Sequence, residues 1–160
     1  MTKAPVTTDS DAAGSKPYTL AIDAMGGDRA PDIVLEGLDL AADRHPGARI
    51  LLIGDEALLV PALARHPQAA RICTVRHAPA RIPMEMKPTV ALRARGSSLR
   101  VATESVASGE ALGVGSAGNS GAMLALAKII VKALTGIVRT ALVAVHPAAK
   151  GECLFASLGD

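Results

Sequence analysis

YTLAIDAMGGDRAPDIVLEGLDL, Tyr18 to Leu40, decides the fold. Tyr18-Thr19-Leu20-Ala21-Ile22-Asp23 is a short apolar run of strand character, and Ala24-Met25-Gly26-Gly27-Asp28 halts it. Pro31 then stands at a first helical position, and Ile33, Val34, Leu35, Leu38 and Leu40 recur on one helical face. The stretch is a strand, a glycine turn and a helix, and the same unit repeats along the chain.

Arg49 to Gly54 is a second apolar run stopped by glycine, followed by a helix from Asp55-Glu56 to about Arg65 with acids in its first turn. Arg71 to Val75 makes a third strand. His77 to Pro88 carries three prolines, Pro79, Pro83 and Pro88, which deny a regular element and predict a long irregular connection. A helical pattern resumes at Thr89, breaks at Gly96-Ser97-Ser98 and continues to a glycine stop at Gly109. Ala111 to Gly115 follows as a strand, Asn119 to about Leu134 as a helix, Thr140 to Val145 as a fifth strand, and Cys153 to Ala156 as the start of a sixth. Strands apolar along their whole length and alternating with helices predict an α/β protein with three layers, α/β/α, around a mostly parallel, Rossmann-like sheet. Residues 1–17 are polar, small and without period, so a disordered tail is expected before one α/β unit over 18–160.

Composition sets the outer bounds. The chain has 160 residues, 49% of them hydrophobic, with a net charge of +2, enough for one buried core and too balanced for a nucleic-acid surface. One Tyr, one Phe and no Trp leave the core to Ala, Leu, Val and Ile and argue against recognition by base stacking. Cys73 and Cys153 lie in apolar runs without a metal-ligand spacing, which reads as buried free thiols of a reducing cytoplasm. No run is apolar for long enough to span a bilayer, and the amino terminus lacks a signal-peptide pattern.

The chemistry is expected at Val114-Gly115-Ser116-Ala117-Gly118-Asn119-Ser120-Gly121, where a small-residue loop opens straight into a helix. Such a loop offers unobstructed N–H groups and the positive end of a helix dipole, which suits a phosphate; a capped helix with Asn119 or Ser120 as cap explains the same residues equally well. In parallel sheets ligands bind beyond the carboxyl ends of strands, so the turns after Asp23, Ile53, Val75 and Gly115 share one edge. Asp23 suits a substrate hydroxyl or the turn amides, whereas Asp28 reads as a helix cap. Lys87, Arg93 and Arg95 can neutralise an anion, although cations on helices are more often solvated. The four histidines share no motif. Gly113 to Gly118 matches G-x-G-x-x-G, but no acid follows at the ribose spacing, so a dinucleotide site is weakly supported.

Three segments together carry a resemblance: Ala21-Ile22-Asp23-Ala24-Met25-Gly26-Gly27-Asp28 with Ala30-Pro31; Lys87-Pro88-Thr89 with Ala91-Leu92-Arg93, Ser97-Ser98 and Arg100; and Ser116 to Ala122. In order and spacing they resemble the signature segments of the phosphate acyltransferases of bacterial phospholipid synthesis, from about Tyr18 onward. That family continues past the Leu-Gly pair matching Leu158-Gly159, so the chain corresponds to its amino-terminal half. The resemblance implies transfer of a fatty acyl group from acyl carrier protein to inorganic phosphate, without cofactor, metal or nucleic acid. It also implies a cytoplasmic homodimer that touches the membrane peripherally. Phosphate is then the nucleophile. Asn119 and Lys87 are expected as catalytic residues, and Asp23, Gly26, Gly27, Arg93, Ser97, Ser98, Ser116, Gly118, Ser120 and Gly121 as substrate-binding residues. The alternative is a non-catalytic Rossmann-like module that binds a nucleotide or phosphate.

Overall fold

The computed structural model describes residues 17–137, 141–148 and 151–157. Its centre is a sheet of four parallel strands: β1 (Tyr18–Asp23), β2 (Ala48–Gly54), β3 (Cys73–His77) and β4 (Gly113–Gly115), in the spatial order β3-β2-β1-β4. Between them run the helices α1 (Asp32–Arg44), α2 (Glu56–Leu63), α3 (Pro67–Ile72), α4 (Pro88–Ala91) and α5 (Ser98–Ala107), with α6 (Ser120–Ile130) after β4.

Period-two alternation in the strands divides the core between two faces. Leu20, Ile22, Ile50 and Leu52 pack with Leu35 and Leu38 of α1, Leu59 of α2 and Ala69 of α3. Ala21, Leu51 and Ile53 point the other way, against Val101, Ala102 and Val106 of α5. The arrangement is three-layered and α/β/α, as the alternating pattern predicts. Small residues on the α5 side, Ala21 and Ala102 both fully buried, let that helix lie close to the sheet. A third cluster joins α4, α5 and α6 through Ala91, Leu99, Ala122 and Leu126, so α6 rests on its neighbouring helices.

The elements depart from the sequence expectation at four places. β3 begins at Cys73, because Pro67 at a helical N1 position and the Asp39 carboxylate, accepting from Ala69 N–H at 2.7 Å, draw Arg71 and Ile72 into α3. Pro31 flanks α1 without a side-chain cap, and Asp28 is exposed and caps nothing. α6 stops at Ile130, and Lys132 just beyond it takes a positive φ of 69°. The expected fifth and sixth strands do not extend the parallel sheet. β5 (Leu142–Ala148) and β6 (Gly151–Ser157) pair antiparallel with each other, from Leu142 opposite Ser157 to Ala148 opposite Gly151. A two-residue connection permits a hairpin, whereas a parallel pair needs a crossover of a dozen residues or more. The expected tail at residues 1–17 lies outside the described residues, apart from Pro17, as do the side chains of His146 and Cys153.

Candidate functional site

The order β3-β2-β1-β4 reverses direction between β1 and β4, and at such a switch point loops on opposite faces part to leave a crevice at the carboxyl ends of the strands. Asp23 ends β1 and Ser116 follows β4 directly, so the register brings them side by side. The Ser116 hydroxyl donates to Asp23 Oδ2 at 2.7 Å, and its oxygen accepts from Gly118 N–H at 3.0 Å. Asp23 Oδ1 accepts from Met25 N–H at 3.1 Å. Both carboxylate oxygens of this buried residue are therefore engaged, Oδ1 within the turn after β1 and Oδ2 in joining that turn to the loop after β4.

The glycines complete that junction. A Cβ on Gly26 would stand 2.6 Å from Ser116 Oγ, 2.8 Å from Asp23 Oδ2 and 2.9 Å from Gly118 N, so only a bare Cα fits. Gly118 reciprocates, its Cβ position lying 3.2 Å from Gly26 Cα. Gly27 takes a φ of +98°, which L side chains avoid. Two backbones are pressed together here.

Asn119 works as a clamp. Its Oδ1 accepts from Ala122 N–H at 2.9 Å and caps α6, while its Nδ2 donates to the carbonyls of Met86 at 2.8 Å, Met84 at 2.9 Å and Pro83 at 3.3 Å. An amide with two N–H bonds shared among three carbonyls has no donor left for an anion. By contrast, the backbone N–H groups of Ser120 and Gly121 find no protein acceptor among the described residues. Ser120 is exposed and Gly121 half-buried, and both stand at the positive end of an eleven-residue helix. Those donors are what the arrangement offers an anion.

Lys87 precedes α4 and is exposed; its neighbour Pro88 lies against Gly121, whose Cβ position is 3.1 Å from Pro88 Cγ. Arg93 is exposed, and neither cation has a carboxylate partner among the described residues. Ser97 spends its hydroxyl on Ala94 O at 2.9 Å, and the buried Ser98 Oγ has no partner among the described residues. No hydrogen bond among the described residues links Arg93, Ser97 or Ser98 to the Asp23–Ser116 cluster.

Sequence reasoning missed the device that holds the middle segment in place. Ala80 bridges to the Gly96–Ser98 stretch through Ala80 N–H to Gly96 O at 3.2 Å and Ser98 N–H to Ala80 O at 2.9 Å, and Arg100 Nη1 donates to Leu92 O at 3.0 Å. Backbone pairing across sixteen residues leaves no sequence signal. A cleft of about 160 Å3 opens between Met25, Gly27 and Asp28 on one side and Arg81 to Glu85 on the other. A hollow of about 220 Å3 under Pro17 and Gly47 lies at the opposite edge, at the amino end of β2, away from these loops.

Cys73 is half-buried, and burial, helped by the charge of Asp39, pushes its thiol up to about 12, which removes it as a nucleophile. Among the described residues no three acidic, His or Cys side chains converge as a metal site, and no helix is long and apolar enough to cross a membrane. The G-x-G-x-x-G match also changes meaning, because Gly113 and Gly115 lie within β4 and Gly115 makes room for Ile22, whose Cδ1 would be 2.9 Å from an added Cβ.

Fold and site define a Rossmann-like α/β protein whose switch point carries a glycine loop opening a helix with free N–H donors. Residues 18–158 match the family described as fatty acid synthesis protein, and the chain belongs to that family. It is similar to the phosphate acyltransferase of Gluconobacter oxydans, 72% identical over 99% of this chain and 43% of that protein. It is also similar to those of Gluconacetobacter diazotrophicus, 60% identical over 95% of the chain and 41% of the relative, and Rhodospirillum rubrum, 44% identical over 91% and 42%. The chain thus spans about two-fifths of the length of these relatives.

Proposed function

We propose that this chain serves acyl transfer from acyl carrier protein to inorganic phosphate, giving an acyl phosphate for phospholipid synthesis. The observation that carries the reading is the pair of N–H groups at Ser120 and Gly121 that have no acceptor among the described residues, at the switch point of a chain whose relatives are named phosphate acyltransferases. A phosphate oxygen attacks the thioester carbonyl, the C–S bond breaks, and the carrier thiolate leaves and takes up a proton. Phosphate is already ionised at neutral pH. Catalysis then needs placement and charge neutralisation more than a protein nucleophile, and the raised Cys73 thiol agrees with that.

Lys87 is the cation this reading places beside the dianion, next to the Pro88–Gly121 contact. Asn119, Asp23, Ser116, Gly26 and Gly118 act as positioning residues that hold the loop, and the backbone at Ser120 and Gly121 does the binding. Arg93, Ser97, Ser98 and Gly27 complete the proposed substrate surface. The reading extends to a cytoplasmic homodimer with peripheral membrane contact, to be tested by light scattering and vesicle flotation.

The direct test incubates the complete protein with long-chain acyl carrier protein and phosphate and measures released carrier thiol. Phosphate-dependent release is the expected result. Binding of adenine or nicotinamide nucleotides with no thiol release would instead favour the nucleotide-binding module.

A further inference from the structure

We propose that the loop from Ala80 to Ser97 is a docking surface for an acidic protein, and that this protein is the one delivering the acyl group; the second half of the proposal rests on the acyl-transfer reading above. The loop is closed at its base by the Ala80 pairing with Gly96 and Ser98. Inside, Ile82 and Ala91 are buried, and Met86, Leu92 and Ala94 pack against α5 and α6. Outside, Arg81, Lys87, Arg93 and Arg95 are all exposed, and none has a carboxylate within 4.0 Å among the described residues. Against these four cations the segment from Arg81 to Arg95 carries one acid, Glu85, while the entire chain nets only +2. The positive charge of the protein is concentrated on this loop.

Three features make the surface rigid and well placed. Asn119 binds the carbonyls of Pro83, Met84 and Met86, so the loop is fastened to the start of α6, where the free N–H groups lie. Arg100 fastens its far limb through Leu92 O. Arg81 borders the cleft beside Gly27 and Asp28, so a partner held on the loop rests next to the switch point. A loop ordered before binding loses little entropy on docking, and clustered charge speeds encounter with a partner of opposite sign.

Complementarity selects an acidic protein. A lipid surface would call for an amphipathic helix with an apolar stripe beside its cations, whereas α4 has four residues and the exposed apolar side chains of the loop, Met84 and Val90, stand on no helix long enough to form such a stripe.

The test uses Arg81→Glu in the complete protein, since this position is exposed and is not assigned to the phosphate site, with Arg81→Ala as a second variant should the first melt early. The KM for acyl carrier protein at low salt is expected to rise about tenfold or more, with a flatter salt dependence than wild type. The phosphate KM, and turnover of a small acyl thioester lacking the carrier surface, stay unchanged. Equal losses with both thioesters, or unchanged carrier kinetics, would overturn the proposal. So would a loss confined to binding of phosphatidylglycerol vesicles, which would assign the loop to a membrane. If the wild type shows no turnover, the acyl-transfer reading fails separately, and anisotropy of labelled carrier protein decides docking: tight wild-type binding weakened in the variant supports it, and absence of binding defeats it.

Discussion

Two loops meet at the switch point, and only the second sets its N–H groups at the positive end of an eleven-residue helix. The turn after β1 spends its side chain internally, both oxygens of Asp23 accepting hydrogen bonds and Gly26 having no free space around its Cα, while the N–H groups of Gly27 and Asp28 find no acceptor among the described residues but belong to no helix. The start of α6 likewise spends its side chain internally, through Asn119, and leaves the N–H groups of Ser120 and Gly121 without an acceptor among the described residues. The difference teaches that at this edge the conspicuous residue types build the frame, while binding capacity resides in backbone that any residue except proline can supply.

The largest expected effect lies in the closed turn. In Gly26→Ala the new methyl meets Ser116 Oγ, Asp23 Oδ2 and the backbone nitrogen of Gly118 at once, and the last cannot rotate away. Overpacking of this kind costs about 3 kcal/mol. For a domain of this size that is a fall in Tm of roughly 10 °C. A thermal melt within a degree or two of wild type would show that the two loops are less tightly joined than described.

Asn119→Asp separates cap from clamp. Aspartate is as good an N-cap as asparagine, so a residue that only capped α6 would tolerate the change. Here the substitution turns a donor into an acceptor facing three carbonyls, and a loss of about 2 kcal/mol is expected. Denaturant unfolding measures it; a neutral result would reduce Asn119 to a cap.

A smaller effect concerns Asp39, an aspartate whose role is wholly structural and which serves as a control for Asp23. Burial tends to raise the Asp39 pKa, but the Ala69 N–H and His66, whose Nδ1 lies 2.7 Å away, outweigh it and hold the carboxyl below its ordinary 3.8. A depressed folded value means that the stabilisation is fully present above the unfolded pKa and is lost as pH falls through the folded one. Asp39→Asn should therefore lower Tm near neutrality, and its deficit should close as pH drops below 3.8. Melts at pH 7 and pH 2.5 with an equal deficit would contradict this.

Much of the fold is legible because continuous apolar runs stopped by glycine, at β1 and β2, alternate with helical patterns. The boundary at Cys73 was hidden because Arg71-Ile72 suits a strand locally, and what draws it into α3 is Asp39, a carboxylate some thirty residues earlier. The hairpin is hidden because the apolar runs end at Val145 and resume at Cys153, a longer gap than the one between the paired strands, which continue to Ala148 and from Gly151. At the site, the glycines of the Ser116–Gly121 stretch mark the loop in the sequence. The direction in which Asn119 spends its amide could not be read, since the three carbonyls it binds belong to an irregular, proline-rich segment.

The smallest effect on stability is expected where the effect on phosphate should be greatest. Ser120 is the first residue of α6, the position at which proline is best tolerated in a helix because its missing N–H would have no intrahelical partner. Asn119 already sits at φ −66° and ψ 104°, an extended conformation that a following proline permits. Ser120→Pro should thus leave the melt within about 0.5 kcal/mol of wild type, the usual range for an exposed position. It deletes one of the two donors proposed for the anion. A charge-assisted hydrogen bond is worth about 1.5 to 3 kcal/mol, so the phosphate KM should rise at least tenfold. Ser120→Ala keeps the N–H, removes only the hydroxyl, and should lie much closer to wild type. If the alanine variant is impaired as much as the proline variant, the hydroxyl is the ligand; if neither changes the phosphate dependence, the anion binds elsewhere and the free N–H groups of α6 are only a helix end.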